Sequence, residues 1–414
     1  MKVVIMAGGK GTRIASVNSD VPKPMIPIDG KPILEYQINA LAAQGYCEII
    51  LIIGHLGHVI RDYFEDGSKW NVQISYIEEN TPLGTAGALF YLKEQIKDDF
   101  LLLNGDIIFD VDIRRFLAYH KAQGTMATIL THPNSHPYDS GIIVADNDGR
   151  ATNWLHKEDP RLWYRNRVNA GLHMLSPRIF SFFSDLQKKD LDRDILKPLI
   201  IQRELSVYDS PEYIKDMGTP DRYYSVIEDI HSGKVAAKNL ARKQKAIFLD
   251  RDGTINKYVG FLTNIDEFEL LDGVAEAIRQ INESGYLAIV ASNQPVIARG
   301  EVSPEELQEI HNKMETLLGQ KGAYLDAIFY CPHHQHKGYE GERPEYKIEC
   351  ECRKPKPGML LAAAEKYNID LTQSWMIGDS DNDIEAGQAA GCRVIKVNTN
   401  SSELSSAVKM ILNQ

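Results

Sequence analysis

Short apolar runs recur along the chain, and several of them stop at glycine or at acidic residues. Residues 2–6, 101–103, 246–249, 287–291 and 375–377 are runs of this kind. Runs of this length bounded by turn residues are typical of buried strands. Polar ligands bind at the carboxyl ends of strands in open α/β sheets, so the residues that follow these runs are the first candidates for chemistry.

The second half of the chain shows the most regular alternation. Its predicted strands are 246–249, 287–291, 326–330, 374–378 and 393–397. Amphipathic stretches separate them, for example the one carrying Val274, Ala277, Ile278 and Ile281. Strands that alternate with helices predict a parallel, doubly wound α/β sheet.

Composition excludes some classes of protein. The chain has 414 residues, 43% hydrophobic and 25% charged, which predicts two or three soluble domains with real cores. Its net charge of −11 argues against nucleic acid as the main partner. No apolar run approaches the roughly 20 residues that span a bilayer, and the apolar start is too short for a signal peptide. We therefore expect a cytoplasmic protein without a membrane partner, and a homo-oligomer stays among the alternatives.

The basic run 233–245 separates two regions of different pattern. It lacks acids and large apolar clusters, so it is interpreted as a solvated linker or linking helix. The predicted organisation is a first domain over 1–231, a linker over 232–244 and a second domain over 245–414.

A glycine-rich turn follows the first predicted strand. Gly8, Gly9 and Gly11 allow the backbone to approach a polyphosphate closely and to present N–H groups to it. Arg13 and Lys23 would add positive charge at the same phosphates. The spacing is neither that of a dinucleotide fingerprint nor that of a Walker A loop.

Two carboxylates end the strand 246–249. Asp250 and Asp252 are two residues apart, so both can project from the same face at the strand's carboxyl end. Asp379 and Asp383 follow another predicted strand of the same region. Strand ends that carry acids are expected to meet at one edge of the sheet.

Three of the five cysteines cluster near histidines. Cys331-Pro332-His333 and Cys350-Glu351-Cys352 offer two tight pairs of ligands, enough for one closed tetrahedral zinc site. His334 and His336 are rival ligands, ranked below His333.

The first half resembles the sugar-1-phosphate nucleotidyltransferases. The resemblance rests on Gly8-Gly9-x-Gly11-Thr12-Arg13 with Pro22-Lys23, and on the segments 78–87, 101–106, 168–171 and 215–220. It implies a Rossmann-like mixed sheet and the transfer of a nucleotidyl group to a sugar 1-phosphate with release of pyrophosphate. The segment 78–87 matches the family's base-recognition loop.

The same resemblance implies residue roles. Asp106 and Asp216 would hold Mg²⁺, Arg13 would stabilise the departing pyrophosphate and Lys23 the transferring phosphoryl group. Lys157 and Asn169 would contact the sugar phosphate, although His156 stands where the family usually has glutamate. The nucleotide-binding positions are Gly8, Gly9, Gly11, Thr12, Arg13, Lys23, Gly84, Thr85 and Asp106.

The second half resembles the haloacid dehalogenase (HAD) superfamily of phosphohydrolases. The arrangement is most similar to the D-glycero-D-manno-heptose 1,7-bisphosphate 7-phosphatases and more distantly to the histidinol-phosphate phosphatases. Pro295-Val296 departs from the usual Ser-Gly, which leaves the preferred anomer open. No long insertion is present to form a cap domain, so the loops would shape the substrate pocket.

This resemblance also assigns roles. Asp250 would be the nucleophile, and Asp252 the general acid and then the general base. Asp250, Asp379 and the Asp252 carbonyl would bind Mg²⁺, with support from Asp383. Ser292 and Lys354 would hold the phosphoryl oxygens, and Asn293 and Arg353 would contact the substrate. Zn²⁺ would be bound by Cys331, His333, Cys350 and Cys352.

Together the two resemblances predict a bifunctional enzyme. Removing the 7-phosphate of heptose 1,7-bisphosphate yields heptose 1-phosphate, which a nucleotidyltransferase can then activate. The first half resembles the guanylyl branch of heptose activation, so GTP is the expected donor and GDP-heptose for surface polysaccharide the expected product. The alternative is a mannose- or glucose-1-phosphate transferase fused to a phosphatase of another sugar phosphate or of histidinol phosphate. A nucleotide-binding module with one degenerate half is a further alternative, which the intact acids disfavour.

Overall fold

The computed structural model describes residues 1–9 and 21–414, and these residues divide into two compact units. Unit 1 comprises Met1–His132, Ile143–Trp154 and Asn169–Ala236. Unit 2 comprises Pro133–Ile142, Leu155–Val168 and Ala237–Gln414. Two segments that lie within the predicted first domain therefore belong to the second compact unit.

Unit 1 is built on a mixed sheet. Its main path runs β10-β9-β11-β6-β1-β4-β5, with β8 pairing β11 and β12, and with β7 and β13 forming a separate antiparallel pair. The strands are β1 Val3–Met6, β2 Pro27–Ile28, β3 Lys31–Pro32, β4 Glu48–Ile53, β5 Gln73–Glu78, β6 Phe100–Asn104, β7 Ile107–Asp110, β8 Ala127–His132, β9 Ile142–Ala145, β10 Ala151–Leu155, β11 Val168–Leu175, β12 Leu205–Asp209 and β13 Tyr213–Asp216.

Alternation along β1 explains why this strand is central. Val3 and Ile5 enter one apolar core, whereas Val4 enters the core on the opposite face. Successive side chains of a strand point to opposite faces, so a continuous apolar run buries both faces of the sheet. The predicted strand over 2–6 is thereby confirmed.

Helices cover the sheet of unit 1. The α-helices are α1 Ile33–Ala42, α2 Gly57–Phe64, α3 Ile113–Gln123, α4 Lys197–Ile201 and α5 Pro220–His231, followed by the short α6 Lys234–Ala237. Helix α3 starts where the Asp112 carboxylate accepts from two backbone N–H groups and ends at Gly124, whose φ is 64°.

Unit 2 contains a five-stranded parallel sheet with the order β16-β15-β14-β17-β18. Every predicted strand of this half is present, and all the pairings are parallel. The strands are β14 Lys245–Leu249, β15 Tyr286–Asn293, β16 Ala327–Cys331, β17 Trp375–Gly378 and β18 Arg393–Lys396. The helices are α7 Val274–Glu283, α8 Pro304–Gly319, α9 Gly358–Tyr367, α10 Asp381–Ala390 and α11 Glu403–Leu412.

Both faces of this second sheet are also buried. Ile247 and Leu249 of β14 enter one core, and Ala246 and Phe248 enter another. The doubly wound prediction is confirmed, since helices are needed on both faces to cover such a strand.

The basic run between the two family-like regions is not solvated throughout. Lys238 is 5% exposed and its Nζ lies 3.3 Å from both carboxylate oxygens of Asp326, itself 1% exposed. Gln244 is also buried. The solvated interpretation was wrong for these residues, because the ion pair stabilises a lysine that sequence alone assigned to water.

The segment 155–168 packs within unit 2 through buried polar contacts. Arg167 Nη1 lies 3.1 Å from Glu315 Oε1 on α8, and both side chains are at most 2% exposed. The Tyr164 amide donates to Thr316 Oγ1 at 2.9 Å. These long-range contacts explain why the segment clusters with unit 2.

Within the described residues, none of the helices combines the length and the apolar character needed to cross a bilayer.

Candidate active sites

The first candidate site lies at the carboxyl ends of four adjacent strands of unit 1. The order β5-β4-β1-β6 brings together the residues that follow each strand. Ala7 N donates to Ile52 O at 2.8 Å, and Gly105 N donates to Met6 O at 2.9 Å. The turn after β1 therefore sits between the ends of β4 and β6.

Lys23 and Asp106 meet at this edge. Lys23 Nζ donates to Asp106 Oδ2 in a partly buried ion pair. Gly105 is required beside them, because a Cβ there would lie 2.8 Å from Met6 O. Gln37 Nε2 donates to the carbonyls of Asn104 and Ile107, both at 2.8 Å, and so fixes the β6–β7 turn that carries Asp106.

Asp216 comes to the same turn. It pairs with Ile107 across β7 and β13, and Met217 N donates to Asp106 O at 3.0 Å. Arg222 Nη1 contacts both oxygens of Asp216 at 2.9 and 2.8 Å. Burial alone would raise the pKa of Asp216, but Arg222 and then the Gly218 N–H and Lys23 hold this pKa below its ordinary value. Asp216 is thus an ionised carboxylate beside Asp106, as cation binding requires.

The predicted base loop packs against the segment 187–191. A Cβ on Gly84, whose φ is 80°, would collide with the Lys189 carbonyl, and one on Gly87 would collide with the Gln187 carbonyl. Thr85 Oγ1 accepts from Leu191 N at 2.8 Å. The glycines of this loop are therefore required by the chain itself, and base binding at Gly84 and Thr85 stays a prediction.

The remaining predicted residues of the first half fall in different places. Asn169 is in unit 1, where its Oδ1 accepts from Gly171 N at 3.1 Å. Lys157 is exposed beside Glu158 and belongs to unit 2. Gly8 and Gly9 lie in the turn after β1, whereas Gly11, Thr12 and Arg13 lie outside the described residues.

The second candidate site lies at the strand ends of unit 2. Asp250 follows β14, Ser292 and Asn293 end β15, and Asp379 follows β17. Adjacent parallel strands bring these residues together at one edge. Asp379 approaches Gly253 so closely that a Cβ there would collide with its carboxylate. The glycine of Asp-x-Asp-Gly is thus needed for the site to close.

Lys354 is a buried cation among acids. Its Nζ lies 2.8 Å from Asp250 Oδ1, donates to Ala291 O at 2.7 Å and also contacts Asp383 Oδ1. Burial alone would lower the pKa of Lys354, but Asp250 and Asp383 raise it, so the amine stays protonated. Burial raises the pKa of Asp250 to about 7, against the opposing effect of Lys354.

Asp252 is held by residues that the sequence did not single out. Arg251, fully buried, donates to both Asp252 oxygens at 3.0 and 2.9 Å. Gln294 Nε2 donates to Asp252 Oδ2 and to Ser292 Oγ, both at 2.8 Å, and Asn256 Nδ2 donates to Asp252 Oδ1 at 3.0 Å. Burial alone would raise the pKa of Asp252, but these donors, Arg251 foremost, lower it. The sequence gives one signal for this arrangement, which is that Arg251 stands between Asp250 and Asp252.

Three acids could hold a cation. Oxygens of Asp250, Asp379 and Asp383 lie within 4.8 Å of one another. Asp383 is fixed by its second role in the capping box of α10, where its Oδ2 accepts from Ser380 N at 2.9 Å. Carboxylate oxygens grouped in this way suit a hard divalent cation such as Mg²⁺.

The cysteine and histidine pairs converge. Cys331 Sγ lies 3.5 Å from Cys350 Sγ and 3.6 Å from His333 Nδ1. Cys352 Sγ lies 3.3 Å from His333 Nδ1 and 3.4 Å from Cys350 Sγ. Zn–S bonds of about 2.3 Å in a tetrahedron put sulfurs roughly 3.8 Å apart, so this group fits one zinc ion. His334 and His336 are outside the group found among the described residues.

The two predicted substrate contacts of unit 2 adjoin Lys354. Asn293 Oδ1 accepts from Lys354 N and its Nδ2 donates to Lys354 O, both at 3.0 Å. Arg353 Nη1 donates to His333 O at 3.1 Å. Asn293 thus positions the lysine, and Arg353 joins the cysteine–histidine loop to the site.

Comparisons with known proteins match the two halves of the chain to two different families. Residues 2–233 match the family model described as nucleotidyl transferase, and residues 351–411 match the one described as HAD-hydrolase-like. The chain is 46% identical over 147 residues to the D-glycero-beta-D-manno-heptose-1,7-bisphosphate 7-phosphatase of Pasteurella multocida, covering 36% of this chain and 77% of that protein. It is 41% identical over 175 residues to the enzyme of that name from Photorhabdus laumondii, covering 41% and 89%.

A solved structure is also similar over the first half. HddC from Yersinia pseudotuberculosis, complexed with GMP-PN, is 28% identical and covers 55% of this chain and 99% of that one, with a TM-score of 0.48.

Proposed function

Because the chain belongs to the nucleotidyl transferase family through residues 2–233 and to the D-glycero-beta-D-manno-heptose-1,7-bisphosphate 7-phosphatase family through its second half, we propose that it is a bifunctional enzyme of nucleotide-activated heptose synthesis. Unit 2 removes the 7-phosphate of heptose 1,7-bisphosphate, and unit 1 transfers a nucleotidyl group to the resulting heptose 1-phosphate. The observation that carries the proposal is the group formed by Asp250, Asp379, Asp383 and the buried Lys354 at the carboxyl edge of the unit 2 sheet.

In the phosphatase step, an Asp250 oxygen attacks phosphorus and the bond from phosphorus to the sugar oxygen breaks. Asp252 gives a proton to the leaving alkoxide and then takes one from the water that hydrolyses the aspartyl phosphate. Asp252 has a lowered pKa in the structure. The negative charge of a bound phosphate monoester would raise this pKa, so that Asp252 takes up a proton from solvent on substrate binding and donates it to the leaving oxygen in the first step.

Mg²⁺ fits this site. Asp250 and Asp379, with the Asp252 carbonyl and with Asp383 nearby, would hold it. When bound, the ion offsets the repulsion between carboxylate and phosphate. Lys354 and Ser292 would hold the phosphoryl oxygens, since Lys354 is a protonated buried amine and Ser292 Oγ is oriented by Gln294.

Zn²⁺ fits the group of Cys331, His333, Cys350 and Cys352. A closed four-ligand site is structural, so its role is to fix the loop that continues into Arg353 and Lys354. Held in this way, the loop would shape the substrate pocket in place of a cap domain.

In the transferase step, an oxygen of heptose 1-phosphate attacks the α-phosphorus of a nucleoside triphosphate and pyrophosphate leaves. Lys23 would balance charge at the transferring phosphoryl group, and Asp106 with Asp216 would hold Mg²⁺. Arg13 keeps its predicted role at pyrophosphate and Asn169 its predicted role at the sugar. GTP is the proposed donor.

The phosphatase half of the proposal is tested by phosphate release from heptose 1,7-bisphosphate. The parent chain should release phosphate, and Asp250→Asn should release at least about a thousandfold less, because the amide is not a nucleophile. Equal release from both would dismiss Asp250.

The transferase half is tested separately by pyrophosphate release from heptose 1-phosphate with GTP, ATP, CTP, UTP and dTTP in turn. GTP should give the highest kcat/KM. A preference for ATP or dTTP would overturn the guanylyl assignment.

A further inference from the structure

His311 is a buried histidine of unit 2 that the proposed mechanism does not use. It lies in the middle of α8 and is 2% exposed. Its Nε2 lies 3.3 Å from Nη1 of Arg251, which is itself fully buried and donates to Asp252. The imidazole therefore contacts the support of the proposed general acid and lies one residue behind the reacting atoms.

Each of the three guanidinium nitrogens of Arg251 contacts an acceptor. Nε donates to Asp252 Oδ1 at 3.2 Å, and Nη2 donates to both Asp252 oxygens and to Gln294 Oε1. The contact of Nη1 is with His311. A guanidinium group can only donate, so the imidazole Nε2 accepts and the ring proton is on Nδ1. The contact thus requires a neutral imidazole in one tautomer.

The surroundings of His311 keep the ring neutral. Burial, and then the positive charge of Arg251, lower the pKa of His311 to about 3, against the opposing effect of Asp252. The positive charge of Arg165 acts in the same direction as that of Arg251. At neutral pH the ring is therefore available as an acceptor.

Helix α8 is itself held at several points, which fixes the imidazole. The helix begins at a capping box formed by Ser303 and Glu306. Further along, Thr316 Oγ1 accepts from Tyr164 N at 2.9 Å. The ring of Tyr330 on β16 packs beside the imidazole, with 5.5 Å between the ring centroids. His311 is thus a preorganised acceptor for Nη1.

An acceptor at Nη1 sets the plane of the guanidinium group. The group is rigid and planar, so contacts at Nη1 and along the edge formed by Nε and Nη2 together fix its orientation. Asp252 accepts along that edge, and the orientation of its carboxylate follows from that of Arg251. Without His311 a buried donor would lose its acceptor, and the guanidinium group would turn towards another one.

We propose that His311 is a positioning residue of the phosphatase reaction, which fixes Arg251 and thereby orients the carboxylate of Asp252. The inference rests on the proposed phosphatase function and adds a residue of α8 that acts on the proton transfers without touching the substrate.

The test uses p-nitrophenyl phosphate, whose leaving group is a stable anion and needs no proton. Phosphoryl transfer to Asp250 then proceeds without Asp252, whereas hydrolysis of the aspartyl phosphate still needs Asp252 as a base. Stopped-flow absorbance follows p-nitrophenolate release by the full chain and by His311→Leu in the presence of Mg²⁺. In His311→Leu the first turnover should keep the parental rate, while later turnovers should slow roughly tenfold to a hundredfold.

Heptose 1,7-bisphosphate gives a second measurement. Its leaving alkoxide must be protonated, so both steps need Asp252 and kcat of His311→Leu should fall by at least the same factor. His311→Gln should restore at least about a third of the parental kcat, because its Oε1 offers an acceptor close to the position of Nε2. A loss of kcat as large in His311→Gln as in His311→Leu would overturn the inference.

Gln308→Leu is the matched control. Gln308 lies on the exposed face of α8 and donates to Asn312, so its replacement should leave all the rates unchanged. Thermal unfolding midpoints report whether each protein is folded, and His311→Met replaces His311→Leu if the latter does not fold.

A merely structural role of His311 predicts a different result, because damage to the whole site would slow the first turnover as much as the later ones. That result, or parental rates in both phases, would overturn the inference. The proposed function fails separately. A parent that hydrolyses p-nitrophenyl phosphate but not heptose 1,7-bisphosphate overturns the proposed substrate, and the two phases still test His311.

Discussion

At the residue scale, burial and its compensation decide the charge states of the two sites. Lys354 stays protonated in the interior because Asp250 and Asp383 contact it, and Asp252 stays ionised because Arg251 and two amides donate to it. A buried charge that lost these partners would neutralise instead. The ionised state of Asp252 therefore depends on neighbours that take no part in the chemistry.

Replacing Gln294 with leucine tests how Asp252 is kept ionised. The change removes a donor at 2.8 Å from Asp252, which should raise the pKa of that carboxyl. The first step needs protonated Asp252 and the second step needs ionised Asp252, so a raised pKa should move the whole phosphatase kcat profile, including its acid limb, to higher pH. Gln280→Leu, which removes an exposed glutamine that donates to Glu276, is the control and should leave the profile in place. An unmoved acid limb in Gln294→Leu would contradict this account.

His173 should make unit 1 sensitive to acid. Burial lowers the pKa of this fully enclosed imidazole to about 4, from an unfolded value near 6.5. Between pH 6.5 and pH 4 the unfolded chain binds more protons at this histidine than the folded chain does. The free energy of unfolding therefore decreases as pH falls from 6.5 towards 4, by about 3 kcal/mol in total. His173→Leu should flatten this dependence, as measured by thermal unfolding midpoints of parent and variant from pH 7 to 4. Parallel curves for the two proteins would contradict the assignment.

At the element scale, the site residues at strand ends were predictable from the sequence, whereas the residues that hold them in place were not. Asp250 and Asp252 could be placed together because the side-chain period of a strand is two, and the parallel order then brought in Asp379. The supporting roles of Arg251 and Gln294 became visible only in three dimensions. Gln294 reaches Asp252 because β15 pairs with β14, and no local pattern encodes that pairing.

The loops show the same limit. Cys331 and Cys350 could be grouped from spacing, since zinc ligands come in tight pairs. Gly84 was read as room for a base, but its close neighbour is the carbonyl of Lys189, more than a hundred residues away in the chain. Spacing in the sequence predicts contacts within a short loop, but it does not predict packing partners that are distant in the chain.

The cysteine–histidine group should carry one zinc ion per chain. Cys350→Ser removes one of four ligands, so bound zinc measured by atomic emission should fall to near zero. Phosphatase activity should fall at least tenfold, because the loop holds Arg353 and Lys354, while the transferase is unaffected. His334→Ala should keep its zinc. Zinc retained in Cys350→Ser, or lost in His334→Ala, would contradict the ligand set.

At the scale of the whole molecule, sequence order and compact units do not coincide. Arg167 lies inside the region that matches the nucleotidyl transferase family, yet it belongs to unit 2 and pairs with Glu315 there. The linker run likewise contributes Lys238 to the interior of unit 2. Domain boundaries drawn from composition could not anticipate this, because both are buried ion pairs between distant segments.

Arg167→Met should strongly destabilise unit 2. It removes the Arg167 partner of the buried Glu315 carboxylate, and removing one member of a buried ion pair typically costs about 3–5 kcal/mol. The double variant Arg167→Met/Glu315→Met should recover much of that loss, since apolar groups of similar volume replace both charges. Urea unfolding followed by phosphatase activity measures the effect, and the exposed Arg279→Met should change it little. Equal stability of Arg167→Met and the parent would show that the pair contributes nothing.

The central claim is that one chain performs two consecutive steps at two separate sites. The most direct test supplies heptose 1,7-bisphosphate, GTP and Mg²⁺ and follows phosphate, pyrophosphate and GDP-heptose. The parent should form all three. Asp250→Asn should form GDP-heptose only when heptose 1-phosphate is supplied, and Asp106→Asn should release phosphate but form no GDP-heptose. Formation of GDP-heptose from the bisphosphate by either variant at the parental rate would contradict the account.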